Sequence, residues 1–179
     1  MMKDLLATTL FGLEHVLAGE LESIGAESVR IHNRAVSFKG DESVMYRANY
    51  HLRTALRILK PLMAYPVRNE DDVYRGIRDI GWERHSDNHN TVAVDTVLLS
   101  KKFRHSGFIS QRVKDGIVDR FRDRTGNRPS VDLKNPDLRI NIHLNDKRCT
   151  VSLDSSGESL HKRGYRTQPY RAPLNEVLA

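Results

Sequence analysis

Between Leu5 and Val67 the spacing of apolar residues switches repeatedly between the two-residue period of a strand and the 3.6-residue period of a helix, and the order of those switches narrows the possible folds most. Leu5 to Leu10 reads as a strand. Leu13, Val16, Leu17, Leu21 and Ile24 recur at helical spacing, with Gly25 where a helix end favours a left-handed residue. Val29, Ile31, Val36 and Phe38 alternate around Asn33, whose tolerance of left-handed backbone predicts a hairpin turn there. Asp41 can cap a helix carrying Val44, Met45, Ala48 and Leu52, and Thr54 to Val67 is again strand-like, with Pro61 and Pro66 arguing for an edge or irregular strand. The order βαββαβ predicts a ferredoxin-like sandwich, an antiparallel sheet covered on one face by two helices.

After a linker near Ala64 to Arg68 the pattern restarts. Asn69 or Glu70 opens a helix with Asp71 and Asp72 in its first turn and Val73, Ile77 and Ile80 on one face, ended by Gly81. Trp82 follows and is expected to pack the helix end onto a core. Thr91 to Ser100 reads as a strand, and a helix beginning at Ser106 or Ser110 carries Ile109, Val113, Ile117 and Phe121 as its buried stripe, with Gly126 as its stop. Val131 to Leu133, Leu138 to Leu144 and Cys149 to Leu153 are strand-like, the last two joined by a turn at Asn145-Asp146. The second unit is therefore a mixed α/β domain.

Charge singles out one part of that unit. The chain holds 29 Lys and Arg against 23 Asp and Glu, yet residues 91–130 alone hold nine against four, a surplus of +5 out of +6. A surplus concentrated in one segment is the footprint of a polyanion partner, and the alternative for the same stretch is a solvated helix face. Asp115, Asp119 and Asp123 are spaced to neutralise Arg112, Arg120, Arg122 and Arg124 along the helix. The cations expected to stay least matched are Lys101, Lys102, Arg104, Arg112 and Lys114, near a helix N-terminus that itself favours anions.

Other chemistries find little support. Cys149 is the single cysteine, which excludes an intrachain disulfide and a cysteine-based zinc cluster and fits the cytosol. His85 and His89 have the i, i+4 spacing of a metal pair but lie in a loop-like run, so no metal is expected. No apolar run reaches the roughly 20 residues a bilayer span requires. Asp154-Ser155-Ser156-Gly157 and Asn135-Pro136-Asp137 read as polar turns, and no catalytic residue is assigned.

The runs SQRVKDGIVDRF, RPSVDLKNPDLRINIHL, SLDSSGESLHKRGYR and APLNEVLA resemble the THUMP-containing large-subunit ribosomal RNA guanine-N2 methyltransferases, and the preceding βαββαβ unit resembles the ferredoxin-like domain that accompanies THUMP domains. The resemblance implies residues 1–66 as the ferredoxin-like domain, 67–157 as an RNA-binding THUMP domain and 158–179 as a linker and the start of a methyltransferase domain. That domain's glycine-containing S-adenosylmethionine loop and Asn/Asp-Pro-Pro-aromatic motif do not occur in the 179 residues, so the chain is expected to be the substrate-binding piece of a longer cytoplasmic enzyme, needing no cofactor itself. The expected partner is structured RNA, ribosomal ahead of transfer RNA, with a protein-interaction domain as the alternative outside nucleic acid. Lys101, Lys102, Arg104, His105, Gln111, Arg112, Lys114, Arg128, Lys162 and Arg163 are the expected RNA contacts, the cations on phosphate and Gln111, Ser110 or His105 on sugar or base. In the linker, Tyr165 and Tyr170 are expected to dock on the following domain, with Arg166 and Arg171 either docking or touching RNA.

Overall fold

A computed structural model describes residues 1–87, 89–163 and 175–178. The linker residues Tyr165, Arg166, Tyr170 and Arg171 lie outside the described residues. The chain forms two compact units: residues 1–60 with 155–179, and residues 61–154.

The first unit contains β1 (Lys3–Thr8), α1 (Glu14–Ser23), β2 (Glu27–His32), β3 (Ala35–Gly40), α2 (Glu42–His51) and the start of β4 (Arg57–Pro66). Its strand order is β2-β3-β1-β4, antiparallel throughout, with Leu5 opposite Phe38 and Ala7 opposite both Val36 and Ile58. This is the ferredoxin-like arrangement expected from the sequence. Alternate residues Leu5, Ala7, Val36 and Phe38 meet Leu17 and Leu21 of α1 and Val44 and Ala48 of α2 in one core. Burying each large apolar side chain there contributes about 1.5–3 kcal/mol.

Local signals act where expected. The Asp41 side chain accepts from the Val44 N–H at 2.9 Å, capping α2. At the end of α1 the N–H of Gly25, at φ 84°, donates to the Glu22 carbonyl and that of Ala26 to the Leu21 carbonyl, a Schellman closure that needs the left-handed glycine. The hairpin differs in one respect: Arg34, not Asn33, takes the left-handed conformation at φ 56°. Its N–H donates to Glu14 Oε1 at 3.0 Å and its carbonyl accepts from the Thr9 N–H at 2.9 Å, so two tertiary hydrogen bonds hold a backbone that local propensity would give to asparagine. Pro61 lies inside β4 just beyond Arg57 to Leu59, the residues that pair with β1.

The second unit contains the rest of β4, then α3 (Glu70–Asp79), a 3-10 turn (Trp82–Arg84), β5 (Thr91–Leu99), α4 (Ser106–Thr125), β6 (Ser130–Val131), β7 (Leu138–Asn145) and β8 (Arg148–Asp154). Its strands run in the order β8-β7-β5-β6, with β5 parallel to β6 and β7, and β8 antiparallel to β7. The α4 stripe of Ile109, Val113, Ile117 and Phe121 is fully buried with Val73 and Ile77 of α3 and Ile140, Ile142 and Val151 of the sheet. Gly116 lets the two helices touch, since a Cβ there would lie 2.9 Å from Ile77 Cγ2 and 3.2 Å from the Tyr74 carbonyl oxygen. Trp82 is wholly buried and its Nε1 donates to the Ile77 carbonyl at 2.8 Å, the helix-end packing role expected of it. The strand expected at Val131 to Leu133 is shorter and begins one residue earlier, with Leu133 exposed.

Candidate nucleic-acid interface

The basic stretch begins where β5 ends, and its backbone is fixed by one carboxylate. Asp146, in the turn between β7 and β8, accepts from the Ser100 hydroxyl at 2.5 Å and from the N–H groups of Lys101 at 2.9 Å and Lys102 at 3.2 Å. Ser100 Oγ in turn accepts from the N–H of Lys102 and of Phe103. Those donations hold the Asp146 carboxyl below its ordinary value, the Ser100 hydroxyl contributing most. Phe103 is buried and anchors the loop in the core. The backbone donors of 101–103 are thus occupied by protein, while the side chains of Lys101, Lys102 and Arg104 are exposed and make no ion pair among the described residues.

Helix α4 starts immediately afterwards with an unblocked N-terminus. His105 at the cap position makes no side-chain cap hydrogen bond, and the first turn holds no acidic residue. An exposed positive loop therefore leads into the positive end of a helix dipole. His105 is exposed, and so is Gln111 in the second turn. Ser110 is not available in the same way, because its hydroxyl is hydrogen-bonded to that of Thr96 at 2.7 Å. Phe108, half exposed at 51 % in the first turn, is a residue that charge-based reading passes over. Its signal was legible: it is the aromatic residue that falls off the 109-113-117-121 stripe.

Farther along the helix the structure gathers a second group. Arg112, about 9 Å beyond the N-terminus of α4, lines an open cleft of about 380 Å³ together with Tyr74, Lys114, Asp115, Asp119 and Arg128. Arg112 and Lys114 are less free there than their sequence context suggests. Arg112 pairs with Asp71 of α3 at 2.6 Å and lies 4.9 Å from the centre of the Tyr74 ring, and Lys114 pairs with Asp115 at 3.1 Å. Sequence spacing led to the expectation that some of the helix's charges pair one turn away on α4, and Arg122 does so with Asp119 at 2.9 Å. Arg120 reaches Glu83 of the 3-10 turn and Asp123 is held by Arg78 of α3, because these neighbouring elements present charges to α4. Arg128 is exposed just beyond Gly126, which ends the helix at φ 74° as expected.

The last two expected contacts belong to the first unit. Lys162 is exposed, whereas the Arg163 guanidinium is directed at backbone carbonyls of residues 49, 50, 52 and 160. Among the described residues there is no cluster suited to a metal ion, and no helix is long and apolar enough to cross a membrane.

With the geometry in place, comparison with known proteins places both units. Residues 4–59 match the model of the RlmL ferredoxin-like domain and residues 67–154 that of the THUMP domain. Ribosomal RNA large subunit methyltransferase K/L of Syntrophotalea carbinolica is 43 % identical over 173 residues, covering 97 % of this chain and 24 % of that protein. A putative RNA methyltransferase of Synechocystis is 41 % identical over 173 residues, covering 97 % of this chain and 45 % of its own length. The chain thus spans about a quarter of the length of K/L relatives. Among solved structures, SMU.472, a putative methyltransferase complexed with SAH, matches with a TM-score of 0.84 at 28 % identity over 99 % of this chain and 47 % of its own. A predicted N6-adenine-specific DNA methylase from Listeria monocytogenes matches with a TM-score of 0.85 at 26 % identity, with the same coverage.

Proposed function

The chain carries an RlmL ferredoxin-like domain followed by a THUMP domain, and from that premise we propose that it is the RNA-binding module of a ribosomal RNA methyltransferase. In this reading residues 67–157 grip structured large-subunit ribosomal RNA, residues 1–66 support them, and residues 158–179 lead to a cytoplasmic S-adenosylmethionine-dependent guanine-N2 methyltransferase domain. The SAH bound to the SMU.472 relative and the names of the K/L relatives support the cofactor and the RNA class. The chain itself supplies no catalytic group and needs no cofactor.

The observation that carries the reading is the unpaired cationic loop of Lys101, Lys102 and Arg104 opening onto the uncapped α4 N-terminus within the THUMP unit. These cations, with Arg128 and Lys162, neutralise phosphates and set orientation, and His105 and Gln111 reach sugar hydroxyls or an unpaired base. Arg112 and Lys114 contribute as partly matched charges from the cleft. Phe108 offers a ring for one unstacked base beside the phosphate-binding loop.

The test is a competition by fluorescence anisotropy among a large-subunit ribosomal RNA stem-loop, a transfer RNA and duplex DNA of equal length. The reading requires that the ribosomal stem-loop bind most tightly and that affinity fall with salt. Preferential binding of the transfer RNA would move the module to a transfer-RNA-modifying enzyme, and binding of none would leave a protein-interaction domain.

A further inference from the structure

The segment after β8 returns to the first unit and is bonded to it residue by residue. The Ser155 N–H and hydroxyl both donate to the Ile58 carbonyl at 2.9 Å, and the Ile58 N–H donates to Ser156 Oγ at 2.8 Å. Asn49 of α2 bridges the two serines, donating to Ser155 Oγ at 2.9 Å and accepting from Ser156 Oγ at 2.8 Å. The Leu160 N–H then donates to the Leu56 carbonyl at 2.8 Å, and its side chain packs against the first core.

Arg163 closes this run. Its guanidinium donates to the carbonyls of Tyr50 at 2.6 Å, Leu52 at 2.7 Å, Asn49 at 2.9 Å and Leu160 at 3.2 Å. Three of those carbonyls belong to the last turn and cap of α2, where carbonyls lack intrahelical donors and the dipole is negative. A planar fork can meet several such acceptors at once, which a lysine ammonium on a flexible stem does not. Four donations to backbone leave this side chain little capacity for phosphate.

We propose that Arg163 is a positioning residue, a clasp that seats Ser155 to Arg163 on the end of α2 and fixes the point on this unit from which the chain continues. Its use, to set the departure point of a following catalytic domain, rests on the function proposed above; the clasp itself does not. The assignment separates Arg163 from Lys162, its exposed neighbour, which remains a phosphate contact.

Amide hydrogen exchange and RNA affinity of the 179-residue chain test this together. In Arg163→Ala the Leu160 amide should exchange at least about tenfold faster, with amides of β7 and α4 unchanged and RNA affinity within about threefold of the unaltered chain. Arg163→Lys, which keeps the charge and loses the fork, should resemble the alanine variant, and it carries the same measurement should the alanine variant fail to fold. Unchanged protection at Leu160 would overturn the clasp. A tenfold loss of RNA affinity with protection retained would overturn it too, making Arg163 an RNA contact. Absence of RNA binding by the unaltered chain would refute the function proposed above and leave exchange alone to decide on the clasp.

Discussion

Replacing Lys101 and Lys102 together by glutamine gives the sharpest test of where RNA is held. Both side chains are exposed and unpaired, and the loop geometry depends on their backbone N–H groups, which Asp146 and Ser100 hold whatever the side chain. Folding stability should therefore move by less than about 0.5 kcal/mol. Each phosphate neutralised contributes about 0.9 to the slope of log affinity against log salt in double-helical nucleic acid, so five contacts, from Lys101, Lys102, Arg104, Arg128 and Lys162, give a slope of about −4.5. Losing two should reduce the slope to about −2.7 and, near 0.15 M salt, weaken binding about 30-fold. Anisotropy titrations of a labelled ribosomal stem-loop at several salt concentrations read both numbers. An unchanged slope in the double variant would refute the loop as the phosphate site. An affinity loss equal at every salt concentration would refute the electrostatic account.

Phe108→Ala should weaken RNA binding by about 1–3 kcal/mol with the salt slope intact, the signature of a lost stacking contact; a changed slope would contradict it. Gly116→Ala gains helix propensity of about 1 kcal/mol but drives a Cβ against Ile77 and the immobile Tyr74 carbonyl, so a net loss of about 1 kcal/mol is expected in urea unfolding, and stabilisation would count against the close helix contact. Asn69→Ala removes the hydrogen bond from the Asp72 N–H that caps α3 and should cost about 1 kcal/mol, measured the same way. The carboxyls of Asp146, Asp137 and Asp72 are held below 3.8, chiefly by the Ser100 hydroxyl, the Thr91 N–H and the Arg68 N–H respectively. Because their folded values are depressed, their stabilisation is complete above 3.8 and disappears as pH falls through the lowered values. The Tm should drop below about pH 3.8, and Asp146→Asn should make that drop shallower.

Much of this protein could be read from residues close together in sequence. The caps at Asp41 and Asn69 act over three residues, and the glycine stops at Gly25 and Gly126 act at a single backbone position. The βαββαβ order and the α4 stripe follow from the same short-range periods, since one face of each element must leave water. The concentration of positive charge in 91–130 was equally plain, because charge needs no contact to be counted.

What escaped the sequence lies between residues far apart in it. Nothing local marks Asp71 as the partner of Arg112, 41 positions away, or Asp146 as the carboxylate that organises the Lys101 loop. Arg34 adopts the conformation expected of Asn33 because Thr9 and Glu14 hold its backbone, and Arg163 turns to α2 because that helix ends with carbonyls to satisfy. The sequence by itself determined the elements, their order and the sign of the surface, all consequences of side-chain chemistry repeated at short range. Only the tertiary structure decided which charges stay unmatched, because neutralisation depends on distance in space, and that distance is set by packing rather than by spacing along the chain.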